Sequence, residues 1–259
     1  MSDQKRFYVT WKGIKLHVLE FGSSGPNILL IPGITSPAIT WAFVAKRLAA
    51  HTRVIVLDNR GRGLSDQRNG LSHTTGDYAE DAAGVIQELG LAPAVVIGHS
   101  MGARVAARLA ATHPALVSRC VLADPPVSGP GRRPYPSELQ KYLDAIDQAA
   151  RGEAIPVRPS FSADQIRLRA EWLPTCNKEA IAQSHRAFHE EDMFADLPRI
   201  TCPTLLVYAG QGGVIMDADA QEIASALREG RVIKIESVGH MMPFDDLELF
   251  LGAVTPFVS

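Results

Sequence analysis

Short apolar runs set off by turn residues dominate the first half of the chain. Phe7–Trp11 and Ile14–Phe21 flank Lys12-Gly13 and predict a β-hairpin. Asn27–Ile31 and Arg53–Leu57 are β-branched and leucine runs that read as strands, with a helix over Thr40–Ala50 between them. Asp77–Leu89 is amphipathic and closes on Gly90 at the C-cap position. A strand at Ala94–Ile97, an alanine-rich helix at Ala103–Thr112 and a strand at Val117–Ala123 follow. Strands alternating with helices predict βαβ units, and so an α/β fold with a mostly parallel sheet flanked by helices.

The rhythm changes after Asp124. Pro125–Pro136 is crowded with proline, glycine and arginine and reads as a loop. Three helices without strands are predicted next. The first spans Ser137 to about Arg151, with Ser137 and Gln140 at capping-box spacing. The second starts at Ser162, with Gln165 in the same relation, and ends before Pro174; the third runs from Asn177 to Phe194. Alternation resumes with a strand at Pro203–Tyr208, a helix at Ala218–Arg228, a strand at Arg231–Glu236 and a helix from Leu247. The expected organisation is a core of residues 1–125 and 198–259 with an inserted helical lid, 126–197. Such a lid would cover the carboxyl ends of the strands, where parallel sheets bind ligands.

Composition narrows the partners. A formal net charge of −2 gives no electrostatic reason to expect nucleic acid or an anionic membrane. No apolar run approaches the roughly 20 residues of a membrane span. The segment Met1–Arg6 is polar and leads into no signal-like apolar block, and the three cysteines, Cys120, Cys176 and Cys202, suggest no disulfide framework. A cytoplasmic protein is expected. Without a phosphate loop, dinucleotide fingerprint or zinc-ligand cluster, no cofactor and no metal are expected. His185 and His189 stand one helical turn apart, but with no third ligand apparent they read as a lid face. No interface signature fixes the oligomeric state.

The chemistry concentrates in three places. Gly98-His99-Ser100-Met101-Gly102 lies between a strand and a helix, the context that gives G-x-S-x-G its meaning as a nucleophile turn. Ser100 is the expected nucleophile, with the Met101 N–H facing an incoming oxyanion. A serine hydroxyl needs a neighbouring base, and His240, in a loop after the last strand, has the required place in chain order. His99 is expected to pack within the turn. The loop Pro32-Gly33-Ile34-Thr35 should supply the second oxyanion donor through the Ile34 N–H.

Pro32-Gly33, Asp58-Asn59-Arg60-Gly61-Arg62-Gly63, the serine turn and Gly239-His240 together resemble the α/β-hydrolase family. That resemblance implies an α/β-hydrolase fold, a lid and a Ser-His-acid triad. Most members place the acid just after the strand that ends here at Tyr208, yet this chain reads Ala209-Gly210-Gln211-Gly212-Gly213. Asp124, at the end of the preceding strand, is one strand spacing away and is the favoured acid, with Asp217 as its rival. Asp58 is expected to brace the Arg60 loop.

Longer strings are similar to a narrower group of that family, the N-formyl amide deformylases of aerobic nicotinate breakdown. They are Ile31–Trp41, Asp124–Arg133, Arg169–Leu173, Gly210–Ile215 and Gly239–Asp246. This implies hydrolysis of a small carboxylate-bearing N-formyl amide, N-formylmaleamate, to maleamate and formate, with the acid at Asp124. A substrate carboxylate calls for an arginine fork. Arg132, Arg133 and Arg169 are the candidates, with Trp172 as a wall of the pocket. Rival readings are a carboxylesterase, lactonase or carbon–carbon bond hydrolase of another small ring-cleavage product, and a slow-turnover ligand receptor on the same fold.

Overall fold

A computed structural model describes residues 4–259. Eight strands form one sheet: β1 (Lys5–Trp11), β2 (Ile14–Phe21), β3 (Asn27–Ile31), β4 (Arg53–Leu57), β5 (Ala94–His99), β6 (Val117–Ala123), β7 (Thr204–Ala209) and β8 (Gly230–Ile235). Their spatial order is β1-β2-β4-β3-β5-β6-β7-β8. The β1–β2 hairpin and the β2–β4 pair are antiparallel, and every later pairing is parallel. From β3 the chain moves outward to β4 on one side and later returns to β5 on the other. The loops leaving β3 and β5 therefore diverge and leave a crevice at the carboxyl ends of the strands.

The helices are α1 (Ala42–Leu48), α2 (Thr75–Glu88), α3 (Met101–Thr112), α4 (Leu139–Ala150), α5 (Ala163–Trp172), α6 (Lys178–Glu190), α7 (Asp217–Ala226), α8 (Met242–Asp245) and α9 (Leu247–Val258). Side chains alternate across the sheet. Ile28 and Leu30 join one apolar layer with Val44 of α1 and Phe250 of α9, while Leu29 and Ile31 join the other with Val85 of α2, Val105 of α3 and Ile223 of α7. Both faces are covered, which is why the central strands read as unbroken aliphatic runs. Each of these strand side chains is fully buried, and such burial stabilises the fold by roughly 1.5–3 kcal/mol apiece. No helix of the described residues is long and apolar enough to cross a membrane.

Helices α4, α5 and α6 lie between β6 and β7. The Ser162–Gln165 capping box opens α5, with Gln165 N–H donating to Ser162 Oγ at 3.3 Å and Ser162 N–H to Gln165 Oε1 at 2.8 Å. The corresponding expectation for Ser137 and Gln140 is corrected: α4 begins at Leu139 with Glu138 at its N-cap. The Ser137 carbonyl accepts from His185 Nε2 at 2.8 Å, and the Gln140 amide donates to Asp144 at 2.7 Å. Helix α6 also stops earlier than expected. The buried Arg104 guanidinium takes the carbonyls of Phe188 and Glu191, at 3.2 and 2.5 Å, and so caps the last turn.

Candidate active site

Ser100 sits between β5 and α3 with φ 54° and ψ −121°, a strained conformation for a residue with a side chain. The turn closes only because its neighbours are glycine. A Cβ on Gly98 would stand 2.1 Å from the Gly102 carbonyl oxygen, and one on Gly102 would stand 2.0 Å from that of Ile31. Strand and helix thereby pack tightly enough to hold the hydroxyl above the sheet.

His240 follows β8 in a short loop and places Nε2 3.0 Å from Ser100 Oγ. Its Nδ1 lies 2.6 Å from Asp124 Oδ2. In this arrangement Nδ1–H donates to the carboxylate and Nε2 is free to accept the serine proton. Asp124 ends β6 at φ 49° and is wholly buried. Its other oxygen accepts the Ala209 N–H at 3.1 Å, and its own N–H donates to the Val207 carbonyl at 2.8 Å. The glycine loop after β7 explains itself here. A Cβ on Gly212 would lie 3.0 Å from His240 N and 3.4 Å from Asp124 Oδ2, so the space an acid from β7 would use is already filled. Asp217 is exposed and is the first residue of α7. It accepts from Tyr208 Oη at 2.9 Å and pairs with Lys234.

His99 does not contact the serine hydroxyl. Its Nε2–H donates to the His240 carbonyl at 2.8 Å, and its ring packs 5.0 Å from Trp41. Burial, with the nearby His240, pushes its pKa down to about 3, so it stays neutral. Asp58 holds the loop through the N–H groups of Ala38 and Leu64 and pairs with His17 at 2.7 Å, while Arg60 pairs with Asp81.

The loop after β3 lies against Ser100: a Cβ on Gly33 would stand 3.3 Å from Ser100 Cβ. The Gly33 carbonyl accepts from Ser36 N–H at 3.2 Å. In a trans peptide the Ile34 N–H points the opposite way. Arg62 Nε fixes the Ile34 carbonyl at 3.0 Å. Among the described residues neither the Ile34 N–H nor the Met101 N–H has an acceptor within the chain, which leaves both for an oxyanion.

The arginines separate. Arg132 forks onto Glu222 and stacks 3.3 Å over the Phe194 ring. Arg133 forks onto Asp219 at 2.5 and 2.7 Å and donates to the Val214 carbonyl at 2.8 Å. Both are corrected from carboxylate binders to clasps of the loop after β6, because protein carboxylates already fill their forks. They line a cavity of about 560 Å³ that holds no triad residue. Arg169 has no carboxylate partner among the described residues and approaches only Thr35, at 3.3 Å to Oγ1 and 3.4 Å to the carbonyl. Burial lowers its pKa. It lines a cavity of about 270 Å³ with Arg158, Phe161 and Met241, next to His240. Trp172 is also corrected: its indole N–H donates to the exposed Glu171 at 3.1 Å, and it lines neither cavity.

Sequence reasoning missed Tyr135 and Tyr142. Tyr135 is buried, with its ring 4.9 Å from that of Phe188. Tyr142, on α4, donates to Tyr135 Oη at 3.2 Å and has Arg169 as a charged neighbour. The only signal was a tyrosine between two prolines directly after Arg132-Arg133.

The sequence pattern of the Alpha/beta hydrolase family matches residues 28–253. N-formylmaleamate deformylase of Pseudomonas putida is 45% identical over 255 residues, 97% of this chain and 95% of that one. The crystal structure of an N-formylmaleamic acid deformylase from Pseudomonas putida S16 superposes with a TM-score of 0.92 at 44% identity, covering 96% of this chain and 100% of that one. 2-(Acetamidomethylene)succinate hydrolase of Mesorhizobium japonicum is 31% identical over 95% of this chain and 92% of its own length.

Proposed function

The chain belongs to the α/β-hydrolase family, and we propose that it hydrolyses N-formylmaleamate to maleamate and formate as a step of nicotinate breakdown. The observation that carries the choice of a carboxylate-bearing amide is Arg169. It is a half-buried fork without a carboxylate partner among the described residues, set beside the oxyanion loop. The similarity to the deformylase of Pseudomonas putida supports the same substrate.

In this reading Ser100 Oγ attacks the formyl carbon while its proton passes to His240 Nε2, and Asp124 stabilises the imidazolium. The N–H groups of Ile34 and Met101 hold the oxyanion. The C–N bond then breaks, His240 returns the proton to the leaving nitrogen, and maleamate departs from a formyl ester on Ser100. Water attacks that ester with His240 as base, formate leaves and the serine proton is restored. The scissile nitrogen shares its lone pair with a second carbonyl, so the bond is weaker than an ordinary amide. Helices α4–α6, within residues 126–197, act as the lid over this chemistry. The three unpaired cysteines suit a cytoplasmic setting.

Formate release from N-formylmaleamate tests the proposal. Turnover well above that of simple aryl esters is expected; ester hydrolysis without formate release from N-formylmaleamate would overturn it.

A further inference from the structure

Three successive carbonyls of the loop after β3 are each held by a donor. Asn59 Nδ2 donates to that of Pro32 at 3.3 Å, the Ser36 N–H to that of Gly33 at 3.2 Å, and Arg62 Nε to that of Ile34 at 3.0 Å. Asn59 and Arg62 both belong to the loop that leaves β4, the strand paired with β3. Arg62 is fully buried, yet among the described residues its guanidinium meets only neutral partners. Besides the Ile34 carbonyl, it donates through Nη1 to Tyr78 Oη and through Nη2 to Ser184 Oγ of α6 at 2.8 Å. Nη2 also lies 3.7 Å from Met101 Sδ. A cation buried without an acid weakens a fold, so this one points to a role beyond packing.

That role lies with the oxyanion. Arg62 holds the carbonyl of one proposed donor residue, Ile34, and touches the side chain of the other, Met101. Released, the Ile34 carbonyl is free to turn toward Ser100, where its oxygen would repel the negative charge the Ile34 N–H is there to receive. We infer that Arg62 is the positioning residue of the oxyanion hole. Its fork pins the Ile34 peptide on one side and α6 on the other, and sets a positive charge beside both donor residues. A rigid guanidinium spans partners that a single ammonium cannot reach together. The inference rests on the serine chemistry of the proposed function, and not on the choice of amide.

Acylation and deacylation both pass through an oxyanion, so a disturbed hole lowers kcat whichever step limits. Steady-state kinetics on p-nitrophenyl formate and N-formylmaleamate, with a denaturant midpoint for each protein, tests the inference. Arg62→Met should lower kcat on both substrates by about 10- to 10²-fold and leave KM within about threefold. Arg62→Lys keeps the charge and should keep the fold, yet should still lower kcat about tenfold because the fork is lost. Arg104→Met is the control. Arg104 is also buried and, among the described residues, meets only carbonyls, those of Phe188 and Glu191 among them. Its loss should lower the midpoint while kcat stays within about threefold. Unchanged kcat in Arg62→Lys, or equal kcat losses in the two methionine variants, would overturn the assignment. Ester turnover by wild type without turnover of N-formylmaleamate would defeat the deformylase reading alone, and Arg62 is then read on the ester. Turnover of neither would defeat both.

Discussion

The strand ends and the inserted helices build the site in opposite ways. Ser100 and Asp124 leave adjacent strands, are almost fully buried, and are held by backbone bonds that belong to the sheet. The inserted segment touches the same site through long polar side chains. Helix α4 buries only Ile146 and α5 no residue, although α6 packs Ile181 and Phe188 inward. Arg158 reaches Asp245, which also accepts the Gly239 N–H beside His240. Arg169 reaches Thr35. In the proposed reaction, bond-breaking thus sits on parts that cannot move without opening the sheet. Selection, on the same proposal, rests on a few side chains of the inserted segment.

That division fails if the two classes of substitution behave alike. Ser100→Ala should cost at least about 10⁴-fold in kcat/KM on every substrate, and Asp124→Asn on the order of 10³–10⁴-fold. Asp217→Asn should change little, because that carboxylate serves Tyr208 and Lys234. Comparable losses at Asp124 and Asp217 would contradict the assigned acid. Arg169→Met should raise KM for N-formylmaleamate by about 10²-fold with N-formylacetamide unaffected, since the lost bond is to the carboxylate. Steady-state kinetics on that pair checks it; parallel losses would place Arg169 in the fold instead.

Arg158→Ala should lower kcat/KM a few-fold without a triad-like collapse, by loosening the Asp245 link beside His240. The smallest effect concerns pH. His99 is held at about 3 in the folded protein, while an unfolded imidazole binds its proton near 6.5. Below about pH 6.5 the unfolded chain therefore takes up more protons, so stability is intact above that pH and is lost as pH falls toward 3. Denaturant midpoints for wild type and His99→Gln between pH 7 and 4 should show a shallower decline in the variant. His73, pushed down to about 4 by burial and by Arg62 and Arg60, carries a further share.

Much of the strand-end region was readable because local sterics write it into the sequence. Gly98 and Gly102 are the residues that let Ser100 turn, and the glycines after β7 coincide with an acid moved to β6. The sheet was readable for the same reason: burial on both faces demands continuous aliphatic runs. The inserted region resisted because its partners are distant in sequence. Nothing near Arg132 and Arg133 announces Glu222 and Asp219, some 90 and 86 positions away, so filled forks looked free. Ser137 matched a capping spacing, but tertiary contact with His185 took its carbonyl and α4 began later. Tyr135 stayed hidden because only the folded loop brings it to Tyr142 and Phe188. Arg169 was one of three equal candidates until the other two proved to be paired.

The central claim is a serine deformylase whose acid lies at Asp124. Formate release from N-formylmaleamate by folded wild type, Ser100→Ala and Asp124→Asn tests it most directly. The account predicts rapid release by wild type, none above background for Ser100→Ala, and a loss of at least about 10³-fold for Asp124→Asn. Undiminished release by either variant, or none by the wild type, would contradict it.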